Sequence, residues 1–573
     1  MRASWRVIPK SKEIQINDPS LSSIVVDLLQ IRGIVAPDKV HEFLYPDFRE
    51  HTHDPFLFKD MAKVIDRLYS AINNYEPMVI YGDYDADGVC SSALLYSVLR
   101  DLGANIIDVY LPDRADGYGL HNSAIDDFIK KSVKLLVTLD CGTTNIEEIS
   151  RANNGGIDVI VVDHHHVPET MPGSFALLNA KMPNELYPFK HLASGGMAFK
   201  VAQGLLQKKI AQKSDERSKW EAYEKWLLDL TAIATVTDLV SLTGENRTLL
   251  KYGLVVLNKT KRAGLKAIIE VMGGQLGKID TFGIGFQIGP RLNAAGRMSH
   301  AKIAFEVLTC VDENKALELA KRLDRENRAR QSLTEKIFKD AENILEKKTE
   351  SKIIVVAGES WPVGLVGLVA SRLCEQRNRP VLVISKTDQG FVGSGRSIPC
   401  FNIIEALHKM PELFVKFGGH AQACGFTLKK EGDIEVLYNR LNLLADETIK
   451  LDDLVPIIKV DLEIFLADVN WDLFEKLQMF EPFGMDNPRP KFLICGLYVV
   501  GLNAVGATGQ HLKLSLTDGQ GVVRPAIGFR LGNFVQSLSL GDRIDVITEI
   551  CINEWNGNRE LQLNIIDIRN TLI

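Results

Sequence analysis

Met78-Val79-Ile80-Tyr81-Gly82-Asp83-Tyr84-Asp85-Ala86-Asp87-Gly88 joins a short apolar run to a loop that holds three aspartates between two glycines. Two later stretches repeat the arrangement. Leu135-Leu136-Val137-Thr138-Leu139 ends at Asp140-Cys141-Gly142, and Val159-Ile160-Val161-Val162 ends at Asp163-His164-His165-His166. Short continuous runs of Val, Ile and Leu suit strands buried on both faces of a parallel sheet. Ligands of an open α/β sheet lie outside the carboxyl ends of its strands. Three strand ends therefore deliver carboxylate oxygens and imidazole nitrogens to one edge. That donor mixture suits Mn2+ or Mg2+ better than a thiolate-built zinc site. The first expectation is a metal-dependent hydrolase.

One such residue alone would carry little weight. An Asp at a strand end is commonly a turn former or a helix cap, and the argument rests on three ends sharing the pattern. Asp85 and Asp87 are two apart and would share a face in a regular strand, whereas Gly82 and Gly88 imply a turning loop. Either geometry lets both carboxylates reach one pair of ions.

Composition bounds the reading without deciding it. At 573 residues the chain has room for about three to five domains. A formal net charge of −6 gives no global nucleic-acid signal, so DNA binding would need local basic surfaces. Eight cysteines occur with no CxxC pair, which argues against a disulfide framework and fits a reducing cytoplasm. Met1-Arg2-Ala3-Ser4-Trp5-Arg6 has no apolar run behind it and no stretch of about 18 apolar residues exists, so neither secretion nor a membrane location is expected. No Walker A loop and no GxGxxG spacing occurs, so ATP use is not indicated.

The expected fold class is α/β with an added barrel. Residues 1–50 read as an N-terminal extension, with one amphipathic stretch at about 20–33, packing against the first domain. Residues 51–310 alternate strands and helices as a parallel α/β layer. Residues 311–348 lack Gly and Pro and read as one or two long charged helices, whose basic 321–330 face either guides DNA or is simply solvated. A second α/β unit spans 349–455. Residues 456–573 show short alternating strands and turn signals at Asp518-Gly519 and Asn556-Gly557, the pattern of a small antiparallel barrel.

The segment Asp83-Tyr84-Asp85-Ala86-Asp87-Gly88, the isolated Asp140 and Asp163-His164-His165 resemble the successive signatures of the DHH phosphoesterase superfamily. Gly418-Gly419-His420 resembles the signature of its companion DHHA1 domain. Leu111-Pro112-Asp113-Arg114 with Gly117-Tyr118-Gly119, Gly289-Pro290-Arg291-Leu292-Asn293-Ala294-Ala295-Gly296-Arg297, and Glu481-Pro482-Phe483-Gly484 are similar to bacterial RecJ. That family degrades single-stranded DNA from its 5′ end, and the likeness runs from about residue 50 to the C-terminus. The chain departs from the pattern at Asp486, where a glycine is expected, and at the third histidine, His166, a bystander in this reading.

The resemblance implies a catalytic set of Asp85, Asp87, Asp140, His164, His165 and Asp238. Asp85, Asp87, Asp140, His164 and Asp238 would hold two Mn2+ or Mg2+ ions, with Asp140 bridging. Asp83 is a possible extra ligand. His165 would border the second ion or contact the scissile phosphate, and Asp163 would orient a ring by hydrogen bonding. Arg114, Arg297, Ser394 and Arg396, with His420, would fix the DNA phosphates, including a 5′-terminal one. The Gly393-Ser394-Gly395-Arg396-Ser397 stretch reads as a flexible loop and Gly418-Gly419-His420 as a second. The barrel would resemble an oligonucleotide-binding fold, with His511, Lys513, Arg524, Phe529, Arg530 and Trp555 as groove candidates.

The expected function is a 5′→3′ exonuclease on single-stranded DNA that releases 5′-mononucleotides, in DNA repair and recombination. Single-strand-binding protein and a helicase are partners by analogy alone. Two alternatives stand beside it. One is a DHH phosphodiesterase acting on short oligonucleotides or cyclic dinucleotides; the other is a non-catalytic DNA-binding replication scaffold.

Overall fold

The computed structural model describes residues 3–9, 21–113, 117–346, 351–387, 390–555 and 557–571. The three apolar runs form strands of one parallel sheet. Its members are β1 (Met78–Gly82), β2 (Ile106–Tyr110), β3 (Leu135–Leu139), β4 (Asp158–Val162) and β5 (Ala176–Leu178), in the order β2-β1-β3-β4-β5. Every residue of β1 and β3 is buried, as their unbroken hydrophobicity demands. From β1 the chain steps to β2 on one side and then crosses to β3 on the other. The order therefore reverses between β1 and β3, and the crevice of a doubly wound sheet opens at such a reversal. Asp83–Asp87 and Asp140 follow those two strands.

Helices supply the rest of this layer. α1 (Ala86–Asp101) starts directly after β1, capped by the Asp85 side chain, which accepts from the N–H groups of Asp87 and Gly88. Gly88 is required there because a Cβ would lie 2.5 Å from the Asp83 carbonyl oxygen. α2 (Ser194–Gln212) and α3 (Leu228–Thr237) pack on α1, and α4 (Gly289–Met298) follows a π-helical turn at Ile284–Ile288.

The glycine-free 311–348 stretch forms a single 33-residue helix, α5 (Glu313–Leu345). Much of the charge at 321–330 is paired locally: Arg322 with Glu326, and Arg328 with Asp324. Arg291 of α4 also pairs with the buried Asp324.

The second sheet contains β6 (Ile354–Glu359), β7 (Val381–Thr387), β8 (Gly390–Arg396), β9 (Phe414–His420) and β10 (Ala423–Leu428), in the order β9-β10-β8-β7-β6. Only β6–β7 is parallel, with α6 (Val363–Arg377) as its crossover. Two expected loops are strands here. Ser394 and Arg396 lie on β8, and Gly418-Gly419-His420 ends β9. The glycines serve close packing, because a Cβ on Gly393 would lie 2.2 Å from the Phe426 ring and one on Gly395 2.6 Å from Cys424 Sγ. Both sheets belong to one compact unit of residues 53–240 and 252–456.

A second unit combines Ala3–Thr52, Ser241–Lys251 and Ile457–Ile573. Its barrel runs β11 (Phe492–Val505), β12 (His511–Thr517), β13 (Val523–Gly528), β15 (Asn558–Asn570), β14 (Arg543–Trp555), and closes by β14 pairing with β11. The β13–β15 pair is parallel, so the barrel is mixed rather than antiparallel. The reason is parity: five strands in a closed ring cannot all alternate in direction.

The 1–50 segment departs from expectation in the same way. Val25, Leu28, Leu29 and Phe43 share a core with Phe480, Phe492 and Leu514 of the second unit. An amphipathic stretch announces that a face must be buried but not against what. Asp486 adopts φ +58°, the left-handed conformation for which glycine is the usual residue and which Asp tolerates. Among the described residues no helix is long and apolar enough to cross a membrane.

Arg247 organises this second unit. It is 1% exposed, and its guanidinium donates to the carbonyls of Phe43, Phe480, Met479 and Glu481 at 2.8–2.9 Å, 4.0 Å over the Phe43 ring. Arg247→Met should remove all four hydrogen bonds, with only the Phe480 carbonyl keeping a second donor among the described side chains, the Asn487 amide at 2.8 Å, and destabilise the unit by about 3 kcal/mol. Hydrogen exchange should then lose protection at 25–44 and 473–480 while β1 and β3 keep theirs. Unchanged protection at 25–44 would show that the guanidinium is dispensable.

Candidate metal centre

The expected ligands come together at the crevice between β1 and β3. Three clusters of potential donor atoms form, each with its atoms within 4.8 Å of one another: Asp140, His164 and His165; Asp87, His164 and Asp238; and Asp83, Asp85 and Asp140. Asp140 and His164 each belong to two clusters. His166 is exposed and belongs to none. Asp238 enters from the C-terminal end of α3, and Asp140 adopts φ +66°, a left-handed conformation uncommon for a non-glycine residue.

Backbone donors hold several of these carboxylates. The N–H groups of Ser194 and Gly195, at the start of α2, donate to the two oxygens of Asp87 at 2.8 and 2.7 Å. The Ser194 hydroxyl donates to Asp140 Oδ1 at 3.0 Å. Gly195 cannot carry a side chain, since a Cβ would lie 2.2 Å from that of Ala234. Asn293 of α4 accepts the Ala86 N–H at 2.8 Å and so ties α4 to the first turn of α1.

Asp163 faces a different way. Its carboxylate accepts the N–H groups of Thr143, His164 and His165 and lies 2.8 Å from His165 Nδ1. Burial would raise this group, yet the His165 contact and the Thr143 N–H hold it well below the usual carboxylate range. Asp163 is therefore a holder of the histidine pair.

Charge crowding shows what the cluster lacks. Burial first, then the neighbouring carboxylates, pushes Asp87 up to about 7 and Asp238 up to about 9, and raises Asp140 well above its ordinary value. Burial and the nearby His165 depress His164 to about 3, leaving a neutral imidazole with a lone pair. His164 Nε2 is buried, has no hydrogen-bond partner among the described residues, and lies 3.2 Å from Asp140, 3.5 Å from Asp238 and 3.8 Å from Asp87. A nitrogen lone pair facing three carboxylates fits a cation between them. The oxygen-rich donor set with imidazole matches Mn2+ or Mg2+.

A cleft of about 910 Å3 adjoins this centre, lined by Tyr118, Arg297, Ser394, Arg396 and Lys416 among others. Arg297 donates to the Gly364 carbonyl at 2.8 Å. Arg396 donates to Ser394 Oγ at 3.0 Å and to the Gly395 carbonyl at 2.8 Å. Among the described residues no carboxylate lies within ion-pair distance of Arg396. His420 is exposed at the end of β9, outside the residues lining the cleft, and Arg114 lies outside the described residues. In the second unit Phe529 is 60% exposed with its ring edge-on to His511, whereas Arg524 is engaged by the Val469 carbonyl. Lys513 and Arg530 are exposed, and the Trp555 side chain lies outside the description.

Sequence reading missed Ser194, Gly195, Asn293 and Tyr118 as parts of this site. Ser194-Gly195-Gly196 carried one available signal, small residues opening a helix where backbone N–H groups can meet an anion.

Comparison with known proteins follows the same division. Family models match the DHH family N-terminal domain over residues 77–235, the DHHA1 domain over 350–447 and the RecJ OB domain over 460–567. The single-stranded-DNA-specific exonuclease RecJ of Bacillus subtilis strain 168 is 36% identical over 551 residues, covering 96% of this chain and 68% of the relative. The chain belongs to the RecJ family. RecJ of Thermus thermophilus in complex with Mn2+ superposes with a TM-score of 0.83 at 26% identity, covering 100% of this chain and 80% of that one. The same protein's Mg2+ complex gives a TM-score of 0.75 at 25% identity, covering 100% and 79%. The Thermus protein is thus known with both ions that the donor set here suits.

Two outcomes follow for this centre. The ion-free native state holds protons on Asp87 and Asp238 that the unfolded chain releases near about pH 4. Its stability should therefore fall as pH rises from about 5 to about 8, and the gain on adding Mn2+ should grow over that window. Thermal unfolding with and without Mn2+ across that range measures both; a Mn2+ gain that shrinks with pH contradicts the assignment. Asp163→Asn should weaken Mn2+ binding by about 10–100-fold in calorimetry by loosening both histidines, and wild-type affinity in that variant would remove the holding role.

Proposed function

We propose that this RecJ-family chain is a metal-dependent exonuclease specific for single-stranded DNA, working 5′→3′ and releasing 5′-mononucleotides. The observation that carries the polarity is Arg396, a half-buried guanidinium with no carboxylate partner among the described residues, in a cleft beside the acidic centre. Burial without a counter-charge lowers its proton affinity and leaves it suited to an anion. A terminal phosphate supplies that anion, and Ser394 offers a hydroxyl beside it.

Asp85, Asp87, Asp140, His164 and Asp238 would hold the ions, with Asp83 at one edge. Divalent ions held there neutralise phosphoryl oxygens and lower the pKa of water at the reacting phosphorus. The chain's own residues do the positioning. Asp163 fixes the histidine pair, the start of α2 orients Asp87, and Arg297 and Arg396 come from the two lobes that flank the cleft. A strand anchored by its 5′ phosphate places an adjacent phosphodiester over the carboxylates, which gives direction without base reading.

The barrel would bind single strands in its own right through exposed Phe529 and neighbouring basic residues. A cytoplasmic location accords with eight unpaired cysteines. Single-strand-binding protein and a helicase are the protein partners proposed with it, on family analogy. The role is DNA repair and recombination.

A time course on 3′-labelled single strands with Mn2+ or Mg2+ tests the reading. Progressive shortening from the 5′ end is expected, absent in Asp140→Ala and on blunt duplex. Arg396→Ala should abolish the preference for 5′-phosphorylated ends. No cleavage with either ion would shift the assignment to a small-nucleotide phosphodiesterase or a DNA-binding scaffold.

A further inference from the structure

Two glycines bring Tyr118 to the point where the metal centre meets the cleft. Gly117 and Gly119 have φ of +104° and +96°, and a Cβ on Gly119 would lie 2.8 Å from Asn145 Oδ1. The buried Tyr81 hydroxyl donates to the Gly119 carbonyl at 3.0 Å and pins the loop from beneath. The Tyr118 hydroxyl donates to the Asp140 carbonyl at 3.0 Å, and its oxygen lies 2.9 Å from His165 Nδ1. The two rings are 5.1 Å apart. The Tyr118 ring is 43% exposed and forms part of the cleft wall.

Counting hydrogens places a proton on His165 Nδ1. Asp163 Oδ1 already accepts the N–H groups of His164 and His165, at 2.7 and 3.1 Å, and lies 2.8 Å from His165 Nδ1. A carboxylate oxygen so surrounded acts as an acceptor, so the hydrogen sits on Nδ1. The single Tyr118 proton goes to the Asp140 carbonyl, which turns an oxygen lone pair toward that Nδ1–H. Two acceptors then hold one edge of the imidazole.

We propose that Tyr118 is a positioning residue for His165, holding the Nδ1 edge of the ring beside the Asp140 carboxylate, whose Oδ1 lies 3.8 Å from that nitrogen. The proposal rests on the nuclease reading above and adds a residue to it. The hydroxyl joins the backbone of Asp140 to His165, so the bridging carboxylate and the second histidine keep one relative placement. Without it, Asp163 keeps its contact with Nδ1, and the ring loses its tie to the Asp140 backbone. Because the ring is also a cleft wall, a strand seated there presses on the residue that sets His165.

Tyr118→Phe removes the hydroxyl and keeps the ring. Nitrogen-15 spectra of the ion-free protein should show a proton on His165 Nδ1 in the wild type. In the variant Asp163 still binds that proton, but loss of the second acceptor should move the His165 ring-nitrogen shifts while those of His164 stay in place, the latter serving as a folding control. On 5′-phosphorylated single strands kcat should fall about tenfold with KM within about twofold. Unchanged His165 shifts together with unchanged kcat would overturn the proposal. If the wild type cleaves no strand at all, the nuclease reading fails while the spectra still decide whether Tyr118 holds the His165 ring.

Discussion

The mutual repulsion of carboxylates gathered at one crevice is the constraint on which the rest of the first unit depends. Asp83, Asp85, Asp87, Asp140 and Asp238 meet where β1 and β3 part, and burial of Asp83, Asp87 and Asp140 keeps water from screening them fully. Left to themselves they would spread. The fold prevents this with aimed donors: the first N–H groups of α2 on Asp87, those of α1 on Asp85, and the Ser194 hydroxyl on Asp140. These contacts fix direction without cancelling the charge, so an electrostatic deficit persists for a divalent ion to fill.

Glycine placement shows how tightly this arrangement is packed. Gly88 lets the first turn of α1 approach the Asp83 backbone in the loop after β1, and Gly195 lets α2 approach α3. On the second sheet, Gly393 and Gly395 yield space to the Phe426 ring and the Cys424 sulfur, so Ser394 and Arg396 are presented from a strand rather than a loop. A rigid strand defines the guanidinium position more sharply than a loop would. The cleft thus has firm walls on both sides, with Arg297 supplied by a helix on the other.

Much of this was legible in the chain itself. Strand ends with acids and histidines announced a parallel sheet and its active edge, because burial on both faces and ligation at carboxyl ends each leave a local pattern. The 33-residue helix was legible from the lack of Gly and Pro. Other features have no local pattern. Ser194 and Gly195 matter through partners about 107 residues away, and the docking face of helix 23–31 depends on Phe480 and Phe492. The parallel β13–β15 pair follows from ring closure, which no single strand encodes. Gly393 and Gly395 misled because glycine serves both mobility and close approach, and only the cross-strand neighbour tells which.

The second unit is stitched from three separate stretches of chain, with the short Ser241–Lys251 insertion carrying the guanidinium at its heart. Such a unit is not a detachable cassette. Cutting the gene near residue 456 would yield a C-terminal piece without its central Arg and without the helices that complete its core, and an N-terminal piece with those same apolar faces bare. Nor can the barrel be completed during synthesis until the last strand leaves the ribosome, so helix 23–31 waits through most of translation with Val25, Leu28 and Leu29 uncovered. That long interval makes the N-terminal helices the segment most in need of protection by chaperones while the chain is made.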